Sequence, residues 1–183
     1  MALNSTVYKA DLHISNMNTQ YYQQHKLMLA KHPSETDERL MVRLLAFALY
    51  AHESLVFGKG VSEEQEPALW QKDMAGEIEL WIEVGLPDER KIRKACGLAK
   101  QVVVILYGKR GAETWWPQNS AVLKKISNLT VIQLPTETTQ ALAEMAARNM
   151  QLNCILEGTQ ISLISEAKTL VIEPVVLYKP AQK

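Results

Sequence analysis

The pattern of apolar and polar positions divides the chain into β-rich ends and a middle part in which helices and strands alternate. Residues 5–15 alternate between polar and apolar side chains, as expected for a strand with one buried face. The segment Tyr21–Lys31 fits a helix or a strand, and its apolar block before Pro33 favours a strand that pairs back on the first. Near the other end, a hairpin and a last strand are predicted at 151–157, 160–164 and 169–177.

A helix is predicted between Ser34, which has the side chain of an N-cap, and about His52. It is nearly all apolar from Leu40 onward, so it should pack on more than one side, and Arg43 within it needs a partner. Gly58 and Gly60 then mark a break, which an acidic loop over 62–67 follows.

The remaining middle segments alternate between strands and helices. Strands are predicted at 78–84, 101–107 and 129–134, and helices at Pro87–Gln101, 112–126 and 136–149. The run 101–107 is continuously apolar, which is typical of a central strand covered on both faces. The strand-helix-strand succession over 78–107 predicts a right-handed crossover between parallel strands. The fold class is therefore α/β with a mixed sheet.

The strand over 78–84 carries an unusual polar face. Because successive side chains of a strand point to opposite faces, Glu83 lies on the same face as Trp81, and a helix normally covers such a face. A bare carboxylate there costs several kcal/mol, so Glu83 needs a cation, hydrogen bonds or water. Asp73 arrives from the preceding segment, and the two carboxylates are predicted to converge on one divalent metal.

Length and composition set the broad class. The chain has 183 residues, of which 47% are hydrophobic and 22% charged, as in a single globular domain over 1–183. Lys plus Arg and Asp plus Glu are 20 each, so any basic surface must be local. No signal pattern or membrane-spanning apolar run is present, which predicts a cytoplasmic protein. Cys96 and Cys154 lack the spacing of a zinc site.

Three stretches of the chain are distinctive, namely HPSETDERLMVRLLAFA at 32–48, EPALW at 66–70 and GEIELWIEVGLPDERKIRKAC at 76–96. They resemble the YaeQ family of bacterial proteins. The similarity extends over essentially the whole chain. The resemblance implies the fold of the PD-(D/E)XK nucleases, a central mixed sheet flanked by helices, here with additional β-hairpins at both ends. In those nucleases acidic residues and a lysine build a magnesium site.

Carried over by position, the resemblance makes Asp73 the first-strand aspartate and Glu83 the acid of (D/E)-x-K, and both become candidate metal ligands. Gly85 stands where the motif has lysine, so the cation must come from elsewhere. Lys94 on the following helix is favoured, with Lys91 as the alternative. This lysine is expected to stabilise charge that develops on a phosphoryl group.

The acid of the first helix is expected to be Glu38, with Glu35 as the competitor. Mg²⁺ is the implied cofactor, because it prefers oxygen ligands and keeps several waters. Two functions follow. The first is a Mg²⁺-dependent nuclease that acts on nucleic acid with Glu38, Asp73, Glu83 and Lys94. The second is a non-catalytic binding or regulatory module that reuses the fold, with its acids locked by Arg and Lys. Arg43 is expected to pair with an acid, Glu83 or Glu79 first, since an unpaired buried guanidinium costs several kcal/mol. An Arg43 held by Glu83 would favour the binding module, and an Arg43 that leaves Glu83 free would favour the nuclease.

Overall fold

The computed structural model describes residues 4–59 and 65–181, and it contains two sheets and four helices within these ranges. The strands are β1 (Thr6–Asn16), β2 (Tyr21–Lys31), β3 (Leu55–Phe57), β4 (Leu69–Lys72), β5 (Ile78–Val84), β6 (Ala99–Leu106), β7 (Leu129–Gln133), β8 (Asn149–Glu157), β9 (Gln160–Ile164), β10 (Thr169–Ile172) and β11 (Val175–Tyr178). The helices are α1 (Asp37–Leu49), α2 (Glu89–Leu98), α3 (Ala112–Leu123) and α4 (Thr136–Ala143).

The six-stranded sheet is mixed and has the order β11-β7-β6-β5-β4-β3. Strands β5, β6 and β7 are parallel neighbours, whereas β3, β4 and β11 add antiparallel pairs at the two sides. The predicted parallel pairing of the strands near 78–84 and 101–107 is confirmed, with α2 as the connection between them. The α/β class with a mixed sheet is therefore confirmed.

The two ends of the chain join in a second sheet, which the sequence did not predict. Its order is β10-β9-β8-β1-β2, and β1 pairs antiparallel with β2 and parallel with β8. The ambiguous segment Tyr21–Lys31 is a strand, as favoured, and the hairpin of β8 and β9 is confirmed. Parallel pairing between strands so far apart in sequence leaves no local signal, because it depends on the packing of everything between them.

Helix α1 lies between the two sheets, and this position explains its apolar sequence. Every residue from Leu40 to Ala48 is buried, and α1 shares one core with the inner face of the five-stranded sheet and one face of the six-stranded sheet. Leu80, Ile82 and Val84 of β5 point into this core. Helix α4 packs beside α1 in the same layer.

The opposite face of the six-stranded sheet is covered by α2 and α3. Trp81 of β5 belongs to this second core, together with Ile92 of α2 and Trp115 of α3. The alternation of β5 thus sends its odd-numbered side chains towards α2 and its even-numbered ones towards α1, as the sequence predicted. This two-sided burial decides where the candidate acids lie.

Several predicted boundaries need correction. The N-cap of α1 is Thr36, whose hydroxyl accepts from the Arg39 N–H, and not Ser34. Helix α2 begins at Glu89 behind Asp88, so Pro87 lies outside it. Helix α4 ends at Ala143, and the predicted last strand is divided between the two sheets as β10 and β11. Short β3 and β4 were not predicted. The predicted break at Gly60 and residues 62–64 of the acidic loop lie outside the described residues.

Candidate functional site

Glu83 is buried on the α2 side of the six-stranded sheet, with 3% of its surface exposed. Its Oε1 accepts a hydrogen bond from Trp81 Nε1 at 2.9 Å. Lys91 Nζ lies 3.1 Å from Oε1 and 3.2 Å from Oε2. The expected cation partner of Glu83 is therefore present, and it comes from the first turns of α2. Both carboxylate oxygens are occupied by protein donors.

Lys91, not Lys94, is the lysine that reaches this carboxylate. Both residues lie on α2, but Lys94 is exposed and Lys91 is turned towards the sheet. The prediction that Lys94 points to the acids is wrong, because Lys94 is offset by about 60° around the helix from Lys91 and faces solvent. Lys91, the alternative that the sequence left open, contacts Glu83 instead.

Asp73 is a turn residue between β4 and β5. Its Oδ1 accepts hydrogen bonds from the backbone N–H groups of Ala75 and Glu77, each at 2.9 Å. The turn lies at the amino end of β5, whereas Glu83 lies near the carboxyl end. Six strand residues from Glu77 to Glu83 span about 20 Å. This geometry contradicts a cation shared by Asp73 and Glu83.

Glu38 lies on the other side of the six-stranded sheet from Glu83. It belongs to α1, and its Oε1 accepts a hydrogen bond of 2.7 Å from the hydroxyl of buried Thr139 on α4. A full sheet therefore separates the carboxylates of Glu38 and Glu83. In the ranges that the structure describes, no three His, Cys, Asp or Glu residues are grouped to hold a metal ion. The predicted magnesium ligands do not fit one ion in this arrangement.

Glu35 is the centre of a buried ion cluster that the sequence analysis did not foresee. Arg43 Nε donates to Glu35 Oε1 at 2.7 Å, and its NH2 donates to Oε2 at 2.9 Å. The same NH2 donates to the Ala30 carbonyl, and Arg39 NH1 donates to Glu35 Oε1 at 2.7 Å. Burial lowers the pKa of Arg43, and the carboxylate of Glu35 acts against that shift.

The prediction that Arg43 pairs with Glu83 or Glu79 is therefore wrong. Glu79 is hydrogen-bonded to Lys100, and Glu83 faces away from α1. The signal that identifies the right partner is the spacing of Glu35, Arg39 and Arg43, which are four residues apart in sequence. Side chains at this spacing lie along one helix face, even though Glu35 itself precedes the helix.

Gly85 adopts a backbone conformation that a lysine would strain. Its φ is +104°, in the region that L side chains rarely occupy. A Cβ built there lies 3.9 Å from the Tyr107 ring, and burial raises the pKa of Tyr107 to about 12. The departure from the (D/E)-x-K pattern is thus built into the chain path that leaves β5.

A basic surface lies where β5 and β6 end. We define it as four exposed cationic residues, Arg90, Lys94, Lys109 and Arg110. Within the described residues none of the four takes part in an ion pair, whereas Arg93 is held by Glu89 at 2.7 Å. The neighbouring acids outside that ion pair are Asp88, the N-cap of α2, and Glu113 in the first turn of α3, so the cations of the surface outnumber them. The local charge of this surface is therefore positive, although the chain as a whole is neutral.

Close packing of two loops brings the basic surface together. Gly111, with φ +95°, lies so close to Leu86 that a Cβ there would be 2.9 Å from its methyl carbon. Trp115 Nε1 donates to the Pro87 carbonyl at 3.0 Å. The loop after β6 is thus fixed against the loop after β5, beside the start of α2. In open α/β sheets, ligands bind at this carboxyl edge of the parallel strands.

The aromatic pair at 115–116 has a packing role. Trp115 is buried, and Trp116 stacks on Tyr178 with ring centroids 6.3 Å apart. The Tyr178 hydroxyl is within hydrogen-bonding distance of the carbonyls of Lys124 and Ile126. These contacts fix β11 to α3, so Trp116 contributes to packing.

These features define a class, an α/β protein of two sheets with a buried central helix and a basic carboxyl edge. The chain belongs to the YaeQ family, whose model, described as YaeQ protein, matches residues 1–174. It is 39% identical over 181 residues to YaeQ of Salmonella typhi and 38% identical over 181 residues to YaeQ of Escherichia coli (strain K12). Each alignment covers 99% of this chain and 100% of the relative.

Two solved structures share the fold. The YaeQ protein from Xanthomonas axonopodis pv. citri has a TM-score of 0.94 and 44% identity, over 96% of this chain and 99% of that one. The YaeQ protein from Pseudomonas syringae has a TM-score of 0.91 and 28% identity, over 96% and 97% of the two chains. In the part of the chain that the structure describes, no helix has the length and apolarity needed to cross a membrane.

Proposed function

We propose that this protein is a non-catalytic binding module that holds nucleic acid by its phosphates. The observation that carries the proposal is the basic surface, where Arg90, Lys94, Lys109 and Arg110 are exposed and make no ion pair within the described residues. Cations without an acidic partner are available to neutralise phosphates and to release the counterions condensed on a nucleic acid. The affinity of such a surface comes mainly from charge.

The order of the elements supports this proposal, because it agrees with the expected resemblance to PD-(D/E)XK nucleases. A helix packs beside a small mixed sheet in this part of the chain. The order is α1, then the antiparallel strands β3, β4 and β5, then α2 as the crossover to parallel β6. The acids that a nuclease needs are separated here by a sheet and by the length of β5. The protein therefore reuses a nuclease-like arrangement for binding.

Fluorescence anisotropy with a labelled single-stranded oligonucleotide tests the proposal. If all four cations contact phosphates, the logarithm of the binding constant falls with a slope of about −2.8 against the logarithm of salt concentration. Each doubling of salt then weakens binding about sevenfold. Reversing two charges, Arg90→Glu with Arg110→Glu, should abolish most of the binding.

The matched control reverses two charges elsewhere. Lys9→Glu with Lys26→Glu changes the net charge equally, and both residues are exposed on the outer face of the five-stranded sheet. This control should bind oligonucleotide nearly as well as the parent. Equal loss of binding in both double variants would show that only net charge matters, and the proposal would then be wrong.

A Mg²⁺-dependent nuclease is the second candidate. It is favoured by one contact, the 3.1 Å approach of Lys91 Nζ to Glu83 Oε1, which places an ammonium beside an acid as the (D/E)-x-K motif does. Calorimetric titration of Mg²⁺ and Mn²⁺ distinguishes the candidates. Metal binding that Glu83→Gln removes, together with cleavage that Lys91→Met removes, would establish the nuclease and refute the binding module.

A further inference from the structure

A polar cavity of about 370 Å³ lies at the amino edge of the six-stranded sheet, far from the basic surface. It forms where α1 ends, because the helix covers the middle of this sheet face and leaves the starts of β6 and β7 uncovered. Tyr50 follows α1 and lines the cavity from one side, and Lys179 lies in the segment after β11. Its volume is within the range of small-molecule sites, about 300–1,000 Å³.

Three of the side chains that line this cavity carry hydrogen-bonding groups that the described protein does not use. Gln101 of β6 and Thr130 of β7 share the sheet face that looks towards α1, since their neighbours in register, Leu80 and Val103, belong to that core. Within the described residues, no hydrogen bond engages the Gln101 amide, the Thr130 hydroxyl or the Tyr50 hydroxyl.

The charge of the cavity favours one anionic group on a polar ligand. Its described lining holds no carboxylate side chain. Of its two lysines, Lys100 is bound by Glu79, so Lys179 is the cation left for a ligand. The Tyr50 phenol is a constant donor at neutral pH, because burial raises its pKa to about 12.

We propose that this cavity binds a nucleoside monophosphate through Lys179, Gln101, Thr130 and Tyr50. Lys179 meets the phosphate. The Gln101 carboxamide offers a donor and an acceptor to the edge of a base, as glutamine does where it reads bases. Thr130 and Tyr50 serve the ribose hydroxyls or the remaining base atoms. The site lies at the opposite edge of the sheet from the basic surface, so it does not rest on the nucleic-acid proposal.

Calorimetry and ligand-detected NMR with the four common nucleoside 5′-monophosphates test this site. At least one should bind with a Kd below about 1 mM. Tyr50→Phe removes a single hydroxyl and should weaken that nucleotide about fivefold, as expected for one neutral hydrogen bond. Lys179→Gln should weaken it about tenfold, because a charge-assisted hydrogen bond is lost. Inorganic phosphate and the matching nucleoside should each bind more weakly than the nucleotide.

The control is Lys26→Gln, which removes an exposed lysine from the outer face of the five-stranded sheet. It should leave nucleotide affinity unchanged, and circular dichroism should show every variant folded. The proposal is overturned if no nucleotide binds at about 5 mM. It is equally overturned if Lys26→Gln weakens binding as much as Lys179→Gln, or if folded Tyr50→Phe and Lys179→Gln both bind like the parent.

Discussion

Replacing Glu35 by glutamine should remove a large part of the free energy of unfolding. The carboxylate has no exposed surface and accepts hydrogen bonds from two guanidinium groups, and the side chain of Arg43 is only 1% exposed. Glu35→Gln leaves the Arg43 charge buried without an anion and turns an amide donor towards other donors. Breaking a buried pair in this way costs about 3–5 kcal/mol. That is a large fraction of the total stability of a domain, about 5–15 kcal/mol.

Urea unfolding followed by tryptophan fluorescence measures this loss. With a slope of about 2 kcal/mol per molar urea, the midpoint should fall by about 2 M. Glu89→Gln is the matched control. Glu89 and Arg93 have the same i,i+4 spacing and the same 2.7 Å contact as Glu35 and Arg39, but at an exposed site. It should cost about 0.5 kcal/mol. A loss below about 1 kcal/mol for Glu35→Gln would refute the reasoning.

A double variant separates lost charge pairing from lost packing. In Glu35→Leu with Arg43→Met both buried charges disappear, and Arg39, whose side chain is 18% exposed, can turn to water. Replacing a buried ion pair by apolar side chains of similar size is often neutral. The double variant should therefore be more stable than Glu35→Gln. Equal or lower stability would contradict the explanation by an unpaired charge.

Four further predictions concern single residues. Gly97→Ala should raise the free energy of unfolding by about 0.5–1 kcal/mol, because the new methyl group meets no atom within 4 Å. Gly85→Ala should lower it by about 1–2 kcal/mol because the φ of Gly85 is positive. A urea midpoint that falls for Gly97→Ala, or one that rises for Gly85→Ala, would contradict the respective prediction. Burial lowers the pKa of His25 below 6.5, so stability is retained above that pH and lost as pH falls towards the folded-state pKa. In His25→Gln the free energy of unfolding, measured with urea, should depend less on pH between about pH 7 and 5. A pH dependence equal to that of the parent would contradict this assignment. Glu83→Gln should cost about 1 kcal/mol in urea unfolding, far less than Glu35→Gln, because Lys91 is 36% exposed and can turn to water; equal losses would contradict it.

Local patterns were sufficient for most elements of the fold. The alternation along β5, the continuous apolar run of β6 and the apolar sequence of α1 each predicted the observed element, because burial repeats with the period of the structure. The second sheet was missed, since β1 and β8 pair across more than a hundred residues. Strands β3 and β4 have three and four residues, too few for a periodic pattern.

The candidate site was predicted less well than the fold. The sequence showed that Glu83 needs a cation but not which one, because the choice between Lys91 and Lys94 depends on how far α2 is rotated against the sheet. Asp73 satisfies backbone donors of its own turn, which is the ordinary role of aspartate in turns. Period two assigns Glu83 to one face of the six-stranded sheet, but only the structure shows that α1 covers the other.

A dual-labelled oligonucleotide measures binding and cleavage together and tests the central claim most directly. The probe carries a fluorophore at one end and a quencher at the other, and it is incubated with the protein and Mg²⁺ at low salt. We predict that anisotropy rises with protein concentration while the quenched fluorescence stays constant, and that Arg90→Glu with Arg110→Glu removes the rise. A gain of fluorescence that depends on Glu83 and Lys91, or no rise in anisotropy at all, would contradict the account.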